Sequence, residues 1–206
     1  TRRPAYVVLS SHTRLVQQFG EERFRRIDEA IVTLVQAVRR RRGWTAYRVY
    51  PDDPATLQPF GLSPADPANP WQVKLRLADL DRALAKRAEM IAAVLIVGGN
   101  QVVPFHMLPN PTDDDDQAVP SDNPYATADD NYFVPEWPVG RIPVDSDADL
   151  LVRQLRAAAD DHLVVSLPAG PLARLRGWLT RVFSPQSKAF GYSASIWRRS
   201  SMAVFR

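Results

Sequence analysis

The chain has no cysteine. It therefore holds no disulfide, no thiolate metal site and no thiol nucleophile of its own. Histidine is nearly as scarce: His12, His106 and His162 are the only three, and no spacing pairs any of them with a serine or threonine. A catalytic imidazole needs a nucleophile within hydrogen-bond reach, so none of the three is assigned a catalytic role. Three further motifs are missing. There is no His-Glu-x-x-His zinc helix, no Gly-x-Ser-x-Gly elbow, and no glycine-rich loop leading into Lys-Ser or Lys-Thr. Long apolar runs are absent too, none approaching the ~18–20 residues that span a bilayer, and no basic-then-apolar leader opens the chain. No membrane partner is expected, and the compartment is left open with cytoplasm favoured over secretion. The chain starts on Thr1 rather than Met and stops at Arg206 inside an expected helix, so it is read as a fragment or a processed product.

What is present is ordinary for a folded domain. The 206 residues are 45% hydrophobic and 24% charged, enough to bury a sizeable core. The net charge is +3, with arginines clustered at Arg2 and Arg3, at Arg39 to Arg42, and at Arg198 and Arg199. The second cluster closes an expected helix, where cations meet the negative end of the dipole. No aromatic-interleaved basic stripe accompanies these clusters, so nucleic acid is not expected as a partner.

Taken in order, residues 6–10 predict a buried strand. Residues 21–42 predict a helix with Phe24, Ile27, Ile31, Leu34, Val35 and Val38 on one face. Residues 45–50, rich in β-branched and aromatic side chains, predict a second strand. Prolines at 51, 54, 59, 64, 67 and 70 predict an irregular loop. A helix is expected over 77–90, with Asp79 and Asp81 in its first turn, and a strand over 91–97 whose unbroken apolar run suits burial on both faces. Gly98 and Gly99 end it. Strand, helix, strand, helix, strand argues for a parallel sheet with right-handed crossovers. Ligands of such sheets bind beyond the carboxyl ends of the strands.

The long excursion over 98–145 leaves from that edge. It is acidic and proline-rich. Asp113, Asp114, Asp115, Asp116, Asp122, Asp129 and Asp130 make an oxygen-rich set that could hold Ca²⁺, which takes six to eight hard oxygen ligands. A solvated loop is the alternative. Asn123 to Tyr125 predict a turn, and residues 131–142 a short hairpin. Ser146 is the expected N-cap of a helix running to about residue 161, with Asp149 as capping-box partner and Leu150, Leu151 and Leu155 inward. Residues 163–167 read as a short strand or a connector, and residues 172–182 and 196–205 as two further helices.

The excursion also carries a family likeness. Val94 to Asn100 with Val103 and Pro104, then Ser121, Asp122, Asn123, Pro124 and Tyr125, then Val139, Gly140, Arg141, Ile142 and Pro143 leading to an amphipathic helix, resemble the gingipain-like cysteine peptidases, family C25 of the caspase-like clan. The likeness covers about residues 91–160. It implies a three-layer α/β sandwich with a mainly parallel sheet in flavodoxin-like order, incomplete in this chain. Residues 1–162 would be the N-terminal subdomain, and 163–206 a connector with helices leading to a second subdomain. The family's nucleophilic cysteine and its histidine base lie in the half that follows. The resemblance therefore implies a non-catalytic portion whose partners are that downstream catalytic half and a protein or peptide substrate, with no cofactor required for the chemistry. Two alternatives stay open: a catalytically inactive protease-like interaction module, and a flavodoxin-like nucleotide-binding or receiver-type domain.

Overall fold

The computed structural model describes residues 2–110 and 116–166. It begins with β1 (Arg3–Leu9), whose alternate residues Ala5, Val7 and Leu9 are fully buried, as is Val8. Two helices follow where the sequence predicts one. The extra helix, α1 (His12–Phe19), is capped by the Ser11 side chain, which accepts from the Arg14 amide. Only Leu15 and Phe19 of α1 are buried, too short an apolar stripe to mark a helix by periodicity. Gly20, at φ 81°, turns the chain into α2 (Glu21–Arg39). Its predicted apolar face is buried throughout, from Phe24 to Val38.

The second strand, β2 (Thr45–Val49), lies parallel to β1. The proline-rich stretch beyond it is not wholly irregular. Pro54 sits at the first turn of α3 (Pro54–Leu57), where its missing N–H is no loss, and the Asp53 side chain caps that turn. A 3₁₀ turn (Gln58–Phe60) continues it. Next, α4 (Pro70–Ala85) starts seven residues earlier than the sequence predicts, because Asn69 caps it through the Trp71 and Gln72 amides and proline again suits its first turn. Asp79 and Asp81 are consequently well inside the helix. Asp79 pairs with Arg76 and Arg82, and Asp81 accepts from the Ile91 amide.

The core strand is β3 (Glu89–Val97). The expected hairpin over 131–142 does not form. The antiparallel pair is instead β4 (His106–Pro109) with β5 (Ala118–Ser121), on either side of the acidic run. Asn123–Ala126 is a 3₁₀ turn, and β6 (Val139–Ile142) joins the main sheet in parallel. Finally, α5 (Ala148–Ser166) runs through the positions expected to be strand or connector. Its cap is Asp147 rather than Ser146: the Asp147 carboxylate accepts from the Leu150 amide at 2.8 Å. Leu151 and Leu155 point into the core as expected, but Leu150 is exposed. The helices expected over 172–182 and 196–205 lie outside the described residues.

Among the described residues the main sheet is four-stranded and fully parallel, in the order β2-β1-β3-β6. This is an α/β fold with a mainly parallel sheet flanked by helices. Neighbouring residues of β2 show the layering, since adjacent side chains point to opposite faces. Arg48 pairs with Asp28 of α2, while Tyr47 meets Phe60 of the first 3₁₀ turn edge-on, ring centroids 5.1 Å apart. Helix α5 packs on α2, and α4 on β3 and both 3₁₀ turns. Among the described residues, no helix is long and apolar enough to cross a membrane.

Candidate functional site

Three clusters of polar side chains gather where the strands end. The first closes the exit of β1. Asp52, just past β2, accepts from the Ser11 hydroxyl and from the His12 and Thr13 amides at 2.7 to 3.1 Å. A carboxylate at the amino end of α1 meets the positive end of its dipole. The His12 ring packs against Phe24, with centroids 4.6 Å apart. Ser10 donates across the sheet to the Val97 carbonyl at 2.7 Å, joining the ends of β1 and β3.

The second cluster centres on Arg141 in β6. Its guanidinium grips Asp122 with two nitrogens, at 2.8 and 2.5 Å. The third nitrogen donates to the Gly98 and Val103 carbonyls at 3.0 and 2.8 Å. The ring of Phe105 lies 4.2 Å from the guanidinium carbon. One buried side chain, 7% exposed, thus ties together the turn after β3, the start of the excursion and its return. The turn itself is constrained: Gly98 has φ 109°, and a Cβ there would meet Val102 at 2.6 Å.

The third cluster lies between the excursion and α4. His106 is fully buried. Trp71 and Tyr125 stand edge-on to its ring, with centroids 4.5 and 4.6 Å away. Neither ring nitrogen has a hydrogen-bond partner among the described residues. Burial, with a smaller contribution from the Lys74 charge opposed by Asp122, brings its pKa down to about 4. The imidazole is therefore neutral at pH 7. Tyr125 is also fully buried, donates to the Pro104 carbonyl at 2.7 Å, and its phenol is pushed up by burial. Lys74, 1% exposed, donates to the Ala128 and Asp129 carbonyls. Trp137 donates to the Tyr125 carbonyl at 2.8 Å, and Glu136 accepts from Thr127 and the Ala128 amide.

These residues fix backbone; they do not assemble a nucleophile with a base. His106 contacts rings, His12 uses its backbone amide, and His162 meets Tyr6 and Arg41. Of the seven candidate calcium ligands, four lie among the described residues. Asp113, Asp114 and Asp115 lie outside the described residues. Asp122 is committed to Arg141, and the Asp129 carboxylate accepts from the Thr127 hydroxyl and the Asn131 amide. The Asp116 carbonyl accepts from the Asn110 side chain, and Asp130 is exposed. Among the described residues no three carboxylates or imidazoles gather as a metal ion would need. The fixing roles of Arg141, Lys74 and Asp52 are not deduced from sequence. Lys74 does leave a trace: it falls three residues before Leu77, on the buried stripe of α4, where a cation needs a partner.

The Arg141 cluster spans the stretch that carries the sequence likeness, and comparison with known families agrees. Residues 75–155 match the family model of Peptidase family C25. The chain contains a C25-like peptidase region. That region runs from within α4, through β3, the excursion and β6, into α5, and so includes Arg141, Asp122, His106 and Tyr125. No curated protein matches the chain. A solved structure described as "Structure of Protease" superposes with a TM-score of 0.48 at 13% identity, over 78% of this chain and 27% of that one. The chain thus spans about a quarter of that protein's length.

Proposed function

We propose that this chain is the non-catalytic N-terminal portion of a gingipain- or caspase-like cysteine endopeptidase. The carrying observation is a C25-like region in a chain with no cysteine. A peptidase of that chemistry needs a thiolate to attack the scissile carbonyl and an imidazole to handle protons. The thiol is absent from the chain, and the His106 imidazole is buried between two aromatic rings. The Cys-His dyad is then supplied by a downstream catalytic half, and the substrate is a protein or peptide. In this reading the C25-like region is the scaffold. The Arg141 staple holds the turn after β3 and the foot of the excursion rigid, and β6 is the strand on which the catalytic half is laid.

The test is to supply the downstream half and assay cleavage of a peptide library. Cleavage is expected only when both parts are present, and it should vanish when the downstream cysteine is replaced by alanine. A continuation with no cysteine and histidine, or no cleavage with both parts folded together, would overturn the reading. That result would favour an inactive protease-like interaction module.

A further inference from the structure

The outer edge of β2 is closed at both ends and open in the middle. In a strand, the N–H and C=O of one residue point to the same side, and the next residue points to the other. The Val49 carbonyl accepts from the Ser10 amide, on the β1 side. Ala46, Arg48 and Tyr50 therefore direct their backbone groups outward. Tyr50 is capped at both groups and Ala46 at its carbonyl. The Arg39 side chain donates to the Ala46 carbonyl at 2.8 Å. The Tyr50 amide and carbonyl are both met by the Thr56 hydroxyl at 3.0 Å, and the carbonyl also by the Asp53 amide. Arg48 alone keeps both backbone groups without a partner among the described residues.

That gap opens into a groove of about 320 Å³ that straddles the sheet edge. Val32 and Val35 of α2 wall one side, and Phe60 of the 3₁₀ turn walls the other, with Tyr47 and Arg48 as the floor. The groove is cationic. Arg48 is neutralised by Asp28, but Arg39 and Arg87, both exposed, form no ion pair among the described residues. They donate instead to neutral carbonyls, those of Ala46 and Pro59. The Arg39 guanidinium reaches from the end of α2 to within 5.6 Å of the Tyr47 ring, and Arg87 lies over the Phe60 ring.

We propose that this groove binds a short extended acidic peptide by strand addition. One peptide residue exchanges two hydrogen bonds with the Arg48 backbone, and two consecutive Asp or Glu residues bring their carboxylates to the guanidinium groups of Arg39 and Arg87 that flank the gap. A second copy of β2 is a poor occupant, because pairing two such edges sets arginine against arginine and offers only one uncapped residue on each side. The inference does not depend on the peptidase reading.

The test uses the full chain and a short fluorescent peptide with two central glutamates flanked by valine and threonine. Saturable binding is expected, weakening as salt screens the charges. Replacing both glutamates by glutamine should weaken it about tenfold, as should backbone N-methylation of the residue that faces Arg48. Arg87→Gln should weaken the diglutamate peptide and leave the diglutamine peptide unchanged. The proposal is overturned if N-methylation at neither glutamate matters, if the diglutamine peptide binds as tightly, if nothing binds at millimolar peptide, or if sedimentation shows a dimer that the peptide does not disperse.

Discussion

Arg141 is the residue on which most of the site depends, and its chemistry decides what can replace it. A guanidinium offers a planar fork that one carboxylate can hold with two bonds while a third nitrogen reaches elsewhere. A lysine ammonium is a point charge and cannot hold Asp122, Gly98 and Val103 at once. Arg141→Ala strands the Asp122 charge and two carbonyls, and is expected to cost about 3 kcal/mol in urea unfolding. Arg141→Lys should recover less than half of that loss. Equal stability of the lysine variant and the parent would show that the fork is not what matters. His106 makes a second prediction. Its folded pKa of about 4 lies below the ordinary value of 6.5, so the unfolded chain takes up a proton first as pH falls. The stability contributed by the neutral ring is complete above about pH 6.5 and is lost as pH drops toward 4. Between pH 7.5 and 5 the loss from this one group is about 2 kcal/mol. His106→Phe, which keeps a ring between Trp71 and Tyr125, should remove it. Urea midpoints at the two pH values check this, and an unchanged acid sensitivity in the variant would count against a neutral buried imidazole.

Among the elements, helix starts distinguish what periodicity can see from what it cannot. Leu151 and Leu155 mark α5 plainly, but its first residue depends on one hydrogen bond. Ser146 is a good capping residue by type, yet Asp147 is the one whose carboxylate reaches the Leu150 amide. Asp147→Ala is expected to lower stability by about 1 kcal/mol, and Ser146→Ala by only a few tenths. Thermal melts of the two variants distinguish the assignments, and the reverse order would restore Ser146 as the cap. The same logic explains the other differences between sequence and structure. The strands β1, β2 and β3 are legible because burial forces an apolar pattern on them. Helix α1 is not, since its cap comes from Ser11 and from Asp52 some forty residues away. In the proline-rich stretch, Pro54 and Pro70 begin helices rather than forbid them, a matter of position that proline content does not show. The excursion is the least legible part. Its order comes from long-range bonds to Lys74, Pro104 and Arg141, which no local pattern records.

At the scale of the whole molecule, the two edges of the sheet differ, and under the proposed function the difference argues for where a catalytic half would meet the chain. An exposed edge strand invites pairing with another strand. At β2, side chains cap all but one outward residue. At β6 no such caps are found among the described residues. The Val94 amide bonds to the Pro138 carbonyl and the Gly98 amide to the Ile142 carbonyl, so Pro138, Gly140 and Ile142 face β3. By alternation Val139 and Arg141 turn their backbone groups outward, along a strand whose Val139 and Ile142 pack against the core. If the catalytic half continues the sheet here, it hydrogen-bonds those two residues and no others in β6. Hydrogen exchange should therefore find the Gly140 and Ile142 amides protected in the chain by itself, and the Val139 and Arg141 amides fast. Adding the downstream half should slow Val139 and Arg141 selectively, by at least tenfold, and leave the other two little changed. Protection appearing at Arg48 of β2 instead would place the catalytic half on the opposite edge. No change at either edge would mean that the two halves meet through helices, with the sheet ending at β6.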